Sequence, residues 1–139
     1  MSRRLAREEL FKIVFEAEIN NKDLNTVLDS YLERENEVEL NEKGKEFLVE
    51  YAKGIIENQD KILAELNEKM EGWSFERVGN VEKALLKISV YEILFKDTPK
   101  EIVINEAVEL AKKYGDTKTY EFVNGVLARL VSVSYTHLR

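Results

Sequence analysis

The chain has 139 residues, of which 44% are hydrophobic and 35% are charged, which is typical of one globular domain with a solvated surface. It has no cysteine and one histidine, which excludes disulfides and cysteine nucleophiles and leaves a zinc or haem site without ligands. Its net charge of −6 means that nucleic acid could be bound only through a local basic patch, because cations supply the attraction to phosphates. No apolar run could cross a bilayer and the basic N-terminus lacks the apolar core of a secretory signal, so we expect a cytoplasmic protein without a membrane segment.

Apolar residues recur at helical spacing through most of the chain, which predicts an all-α protein of about seven helices. The first helix covers residues 3–19, and a second begins near Asn25. Asn41 is the expected N-cap of a long third helix, because its side chain can accept a hydrogen bond from an unpaired backbone N–H. The apolar stripe of this helix is interrupted at residues 58–60, which indicates a bend or an exposed turn, and Gly72 ends the run.

The second half of the chain predicts a short helix capped by Ser74, followed by a strongly apolar helix over residues 80–96. A helix that is apolar nearly all round is either central to the core or shared with a partner, and the central position is favoured. Residues 98–101 form a Thr-Pro-x-Glu capping box, which opens another helix. Gly115 should close that helix in the left-handed conformation.

Asp116 or Thr117 is expected to cap the last helix. Gly125 lies inside it, at a cost of about 1 kcal/mol relative to alanine that close approach of another helix would offset. Residues 132–139 abandon helical periodicity and predict an irregular tail that need not belong to the natural chain. The predicted helical domain therefore covers residues 1–131.

The residues give little support for catalysis. There is no glycine-rich phosphate loop and no nucleophile paired with histidine, and the many carboxylates lie at solvated helical positions. We therefore interpret the chain as a binding protein, not an enzyme, with no metal and no cofactor.

The start of the chain is basic. Arg3 and Arg7 lie one turn apart on a helix with Arg4 adjacent, and cations in a first turn oppose the helix macrodipole. Arginine binds phosphate as a bidentate donor, so a phosphate ligand would explain the cluster. Composition alone favours the alternative, in which the helix end frays and the arginines aid solubility.

Four segments carry a family resemblance: Arg3–Glu8, Gly79–Leu94, Pro99–Gly115 and Phe122–Leu127. The run Ile-Asn-Glu-Ala-Val-Glu-Leu-Ala-Lys in the third and Phe-Val-Asn-Gly-Val-Leu in the fourth are highly specific. Together the segments resemble the NusB family of transcription antitermination factors over residues 2–130. The resemblance implies a bacterial two-part helical bundle that pairs with NusE, a small-subunit ribosomal protein. The pair would bind the boxA element of nascent single-stranded RNA and help the RNA polymerase elongation complex to pass terminators, notably on ribosomal RNA operons.

The resemblance also implies site residues. RNA-binding positions are Arg3, Arg4, Arg7, Lys118 and Phe122. Lys118 stands where many relatives carry an acidic or small residue, and periodicity alone would equally place Phe122 in the core.

The NusE-binding positions implied by the resemblance are Phe15, Glu82, Lys87 and Tyr91. Of these, Tyr91 could instead be wholly internal. Trp73 is expected to cover the core between the two halves of the bundle.

Two alternatives stay open. The same domain type occurs in RNA cytosine methyltransferases, which need a catalytic domain with a cysteine nucleophile that is absent from this chain. The other alternative is a self-associating scaffold, in which a second copy covers the apolar central helix and the protein is a homodimer.

Overall fold

The computed structural model describes residues 2–70 and 74–137, with side chains for residues 3–70 and 74–131. These residues contain seven α-helices, one short 3-10 helix and no strand, which confirms the predicted all-α fold. Trp73 and Gly72 lie outside the described residues. The α-helices are α1 Ser2–Asn20, α2 Leu24–Glu33, α3 Glu42–Glu57, α4 Gln59–Lys69, α5 Asn80–Phe95, α6 Lys100–Tyr114 and α7 Thr117–His137, and the 3-10 helix is Phe75–Arg77.

The helices form two compact units. Unit 1 is Met1–Asn58 and unit 2 is Gln59–Arg139. In unit 1, helices α1, α2 and α3 all pack against one another. In unit 2, α5 packs against α4, α6 and α7.

Helix α5 is the centre of unit 2. Nine of its residues are buried: Ala84, Leu85, Leu86, Ile88, Ser89, Val90, Tyr91, Glu92 and Ile93. Its neighbours within the unit thus cover the helix on most sides, which confirms the prediction of a central core helix.

The end of α1 is set by local hydrogen bonds. Asn21 adopts a left-handed conformation with φ 53°, and the N–H of Lys22 donates to the carbonyl of Ala17 at 2.9 Å. This is the Schellman arrangement, which asparagine tolerates better than most residues other than glycine. It explains why the apolar pattern breaks at this point of the sequence.

Two predicted boundaries of α3 are confirmed. The Asn41 side chain accepts a hydrogen bond from the N–H of Gly44 at 2.8 Å, as an N-cap should. At the other end, the Asn58 side chain donates to the carbonyl of Gly54 at 2.8 Å, and α4 begins at the next residue. The interruption at residues 58–60 is therefore a break between two helices.

Two predicted caps are wrong. Ser74 precedes the 3-10 helix but makes no capping hydrogen bond with its side chain. The Thr98 hydroxyl donates instead to Oε2 of Glu92 at 2.8 Å, and the N-cap of α6 is Pro99, without a side-chain cap. Because Glu92 is only 1% exposed, its carboxylate needs hydrogen-bond donors, and it takes the hydroxyl that the capping box would have used.

A third prediction, the left-handed conformation of Gly115 at the end of α6, is also wrong. Gly115 ends α6 in an extended conformation, with φ −125°, and not in the left-handed one. Glycine is required there because a Cβ would lie 2.6 Å from side-chain atoms of Thr119. Asp116 caps α7 as predicted: its carboxylate accepts from the N–H of Thr119 at 2.9 Å, and its own N–H donates to the Thr119 hydroxyl at 3.2 Å.

Close approach of another helix does not offset the cost of Gly125. Apart from Gly125, its chain neighbours and the backbone of its own helix, no atom of the described residues lies within 4 Å of the position that a Cβ would take. We expect Gly125→Ala to raise the free energy of unfolding by about 0.5–1 kcal/mol, since alanine is the better residue inside an exposed helix. Urea unfolding would measure the change. Gly115→Ala is the matched control and should destabilise, because its Cβ would collide with Thr119. A destabilised Gly125→Ala variant would contradict the open space at this position.

The predicted irregular tail is also corrected, since the backbone of residues 132–137 continues α7 to His137. The β-prone residues there disfavour a helix by only a few tenths of a kcal/mol each. Adding a residue to an existing helix costs far less free energy than nucleating a new one, so α7 can continue through these residues.

Candidate functional site

The basic start of the chain forms the first two turns of α1. Arg3 and Arg4 are exposed, whereas Arg7 is only 6% exposed. The guanidinium carbon of Arg3 lies 5.2 Å from the ring centroid of Phe47, and that of Arg7 lies 5.5 Å from the same centroid. The arginines of α1 thus meet a ring that α3 supplies.

Phe47 is held firmly in place. It lies on the buried stripe of α3 one turn before Tyr51, and the two rings stack with centroids 4.1 Å apart and an angle of 27° between their planes. Phe47 is 8% exposed and Tyr51 is 2% exposed. The ring beneath the two guanidinium groups is therefore part of the core of unit 1.

A buried carboxylate also fixes α1 against α2. Oε1 of Glu9 accepts a hydrogen bond from the Tyr31 hydroxyl at 2.9 Å, and Oε2 accepts from Lys12 Nζ at 3.0 Å. Burial and the hydrogen bond to Glu9 raise the pKa of Tyr31 well above its ordinary value. This network sets the position of the first turns of α1 relative to the rest of unit 1.

Lys118 and Phe122 lie one turn apart at the start of α7. Lys118 is exposed and Phe122 is half-buried. The Asp116 cap orders this turn, and the hydrogen bonds that it accepts from the backbone and side chain of Thr119 lower the pKa of Asp116. The two predicted positions therefore lie on neighbouring turns of α7 in unit 2.

Helix α5 carries the predicted partner-binding residues of unit 2. Lys87 is half-buried and its ammonium group lies 5.7 Å from the centroid of the Phe75 ring. Tyr91, one turn later, is only 4% exposed, and its ring stacks on that of Phe95 at 5.5 Å. Since Phe95 is 38% exposed, the aromatic surface that α5 presents to solvent is Phe95 more than Tyr91.

Glu82 lies in the first turn of α5 and is half-buried. Its carboxylate lies so close to Gly79 that a Cβ at Gly79 would be 2.6 Å from Oε1. A negative charge beside a helix N-terminus is stabilised by the macrodipole. Glu82 thus has a structural role in α5 as well as a predicted one in partner binding.

Phe15, the predicted partner-binding residue of unit 1, is half-buried on α1. Its ring stacks on that of Phe11 at 5.7 Å, and Phe11 is 2% exposed. Phe15 is therefore the outer member of an aromatic pair whose inner member is in the core.

Two other kinds of site are absent from the described part of the chain. No three histidine, aspartate or glutamate side chains there are grouped so that they could hold a metal ion. No helix among the described residues is long and apolar enough to span a bilayer.

A comparison of the sequence with protein-family models identifies the family of this chain. The model of the NusB family matches residues 4–132. The chain belongs to the NusB family. A curated NusB relative, the transcription antitermination protein of Fusobacterium nucleatum subsp. nucleatum, is 45% identical over 132 residues, which cover 91% of this chain and 86% of the relative. The resemblance seen in the four sequence segments is thereby confirmed.

Solved NusB structures have the same fold. A structure of T. maritima NusB is 36% identical, covers 95% of this chain and 92% of its own, and superposes with a TM-score of 0.84. A chain in the crystal structure of the antitermination factors NusB and NusE in complex with double-stranded RNA is 23% identical, with a TM-score of 0.76 and coverage of 95% of this chain and 97% of that chain. At that identity the second likeness concerns the fold alone.

The sequence prediction missed Phe47 and Phe95. The apolar pattern includes both residues but gives them no functional role, since Phe47 lies on the apolar stripe of α3 and Phe95 lies at the end of the apolar helix α5. Periodicity marks such residues as core but does not say which charged groups of another helix will lie against them.

Proposed function

We propose that this NusB-family chain is an RNA-binding transcription antitermination factor. It pairs with NusE, and together they bind boxA-type single-stranded RNA and help the RNA polymerase elongation complex to pass terminators, notably in ribosomal RNA operons. This work takes place in the cytoplasm, where the transcript emerges.

One observation carries the proposal: the chain concentrates three arginines in the first two turns of α1, two of them over a single ring. The protein as a whole is acidic, with a net charge of −6. A small basic patch on an acidic protein gives weak attraction to phosphates by itself, so a partner that adds further contacts is needed for tight binding. Arg3 and Arg4 are the exposed members of this patch and are the ones proposed to contact phosphates.

The second surface of the proposal uses the start of α7. Single-stranded RNA is recognised through stacking on aromatic rings as well as through phosphates. Phe122 is half-buried and Lys118 is exposed one turn before it, so this turn offers one partly exposed ring and one cation. NusE is proposed to bind at Phe15 of unit 1 and at Glu82 and Lys87 of unit 2, where Tyr91 supports helix α5 from the core of that unit.

The proposal is tested by fluorescence anisotropy with a labelled boxA RNA, the chain and purified NusE, together and separately. The mixture of both proteins should bind more tightly than either alone. Arg3→Ala combined with Arg4→Ala should weaken binding by the mixture about tenfold near 0.1 M salt and make the salt dependence shallower by about 0.7 per lost phosphate contact.

The matched control is Lys22→Ala combined with Arg34→Ala. Both residues are exposed and their loss changes the net charge equally, but they lie beyond the far end of α1 and at the end of α2. RNA affinity should stay within about twofold of wild type, since long-range charges are screened by salt. Equal losses in the two double variants would mean that overall charge, and not the arginine patch, determines binding.

The self-associating scaffold is less well supported. It required a second copy to cover the apolar helix α5, but α4, α6 and α7 of the same chain pack against it. Nothing about α5 then calls for a homodimer.

A further inference from the structure

The arrangement of Arg3, Arg7 and Phe47 has a feature that phosphate binding alone does not require. Two guanidinium groups from successive turns of α1 lie over one ring, at 5.2 and 5.5 Å from its centroid. Such cation–π contacts are individually modest, but they restrict where an arginine side chain can go. Both contacts depend on a residue of another helix, α3.

The two arginines differ in what they can offer to a ligand. Arg7 is 6% exposed, which leaves too little of its guanidinium group open for a bidentate contact with a phosphate. Arg3 is exposed and keeps its donors accessible. The same ring therefore touches one arginine that is enclosed and one that faces solvent.

We propose that Phe47 is a positioning residue for RNA binding, which holds the Arg3 guanidinium in the orientation in which it contacts a phosphate. Arg7 packs against the same ring and helps to hold the ring in place. This inference rests on the proposed RNA-binding function. A free arginine side chain has many rotamers, and fixing one of them on binding costs entropy. The Phe47 ring removes part of this cost in advance, because Arg3 already rests on it in the protein without RNA.

Tyr51 makes the ring a firm support. It stacks on Phe47 at 4.1 Å and is itself 2% exposed. Motion of the Phe47 ring would disturb the packing of the core of unit 1. The close packing of that core therefore restricts the movement of the ring beneath Arg3. An arginine on a flexible loop would have no comparable support.

The test compares Phe47→Leu with Phe47→Tyr in the anisotropy assay with NusE and labelled boxA RNA. Leucine keeps an apolar side chain at this position but has no ring face for a cation, whereas tyrosine keeps the ring. We expect Phe47→Leu to weaken RNA binding about three- to tenfold and Phe47→Tyr to bind like wild type. The salt dependence should be the same in all three proteins, because none of them has lost a charge.

A double-mutant cycle separates positioning from general damage. In an Arg3→Ala background, Phe47→Leu should have almost no further effect on RNA binding, since the group that it positions is gone. Full additivity of the two losses would overturn the proposal, and so would wild-type affinity in Phe47→Leu. Absence of RNA binding by the wild-type chain with NusE would instead refute the proposed function itself.

Nuclear magnetic resonance of the wild-type chain gives a reading that does not depend on any variant's stability. The Nε–H proton of Arg3 should be shifted upfield by the Phe47 ring, and its relaxation should report an ordered side chain in the absence of RNA. An Arg3 side chain as mobile as that of an exposed control, Arg77, would overturn the proposal.

Discussion

Replacing Leu86 with alanine is expected to lower the free energy of unfolding by about 2–5 kcal/mol, because a cavity would remain in the middle of unit 2. Leu86 is 0% exposed and lies on α5, against which α4, α6 and α7 pack. The surrounding helices cannot all move inward to fill the space of the lost side chain. Urea unfolding followed by circular dichroism would measure the change.

Leu94→Ala is the matched control for this prediction. It removes the same atoms from the same helix, but Leu94 is 39% exposed and less of its apolar surface is withdrawn from water. Its loss should cost about 1 kcal/mol. Similar losses in the two variants would mean that α5 is not the centre of the core of unit 2.

Tyr31→Phe is expected to lower the free energy of unfolding at neutral pH by about 1–3 kcal/mol, although only one oxygen atom is removed. That oxygen belongs to the hydroxyl that donates to Oε1 of Glu9 at 2.9 Å, and Glu9 is 5% exposed. Without this donor, a carboxylate oxygen of a buried residue loses its hydrogen-bond partner. Thermal unfolding of the two proteins at the same pH would measure the difference.

The same substitution should change how stability responds to alkaline pH. The pKa of Tyr31 is raised in the folded protein by burial and by the hydrogen bond to Glu9, above an ordinary value of 10.0. Above that pH the unfolded chain releases the Tyr31 proton while the folded chain keeps it, so the contribution of Tyr31 is complete below pH 10 and is lost as the pH rises further. Tyr31→Phe should therefore lose less stability than wild type above pH 10.

Tyr120→Phe serves as the control in both measurements. Tyr120 is half-buried, and phenylalanine keeps the ring that lies 5.3 Å from Lys112 Nζ. Its stability at neutral pH should stay within about 0.5 kcal/mol of wild type. If Tyr31→Phe showed the same alkaline decline as wild type, the pKa of Tyr31 would not be raised in the folded protein.

The helices could be predicted where neighbours in the sequence set their ends. Asn41 caps α3 through a residue three positions away, and Asp116 caps α7 in the same manner. The break at residues 58–60 was likewise visible in the apolar pattern. Caps and periodicity involve atoms within one or two turns, so the sequence contains all the groups that take part.

Two of the incorrect predictions, those for Thr98 and Gly115, failed because of a residue that the local pattern did not include. Thr98 had the spacing of a capping box, but the buried carboxylate of Glu92 takes its hydroxyl. Gly115 had the position of a left-handed C-cap, but the close approach of Thr119 is what excludes a side chain there. Which partner prevails depends on burial, and burial is a property of the packed chain.

The sequence by itself determined the all-α class, the membership of the NusB family and the cluster of Arg3, Arg4 and Arg7. Those conclusions rest on spacing along one helix and on motifs that are contiguous in the chain. Only the tertiary structure decided that Arg7 is enclosed, that Arg3 is open, and that both rest on Phe47. The reason is that Phe47 lies on α3, and the face of α3 that meets the start of α1 is selected by the packing of the whole core of unit 1.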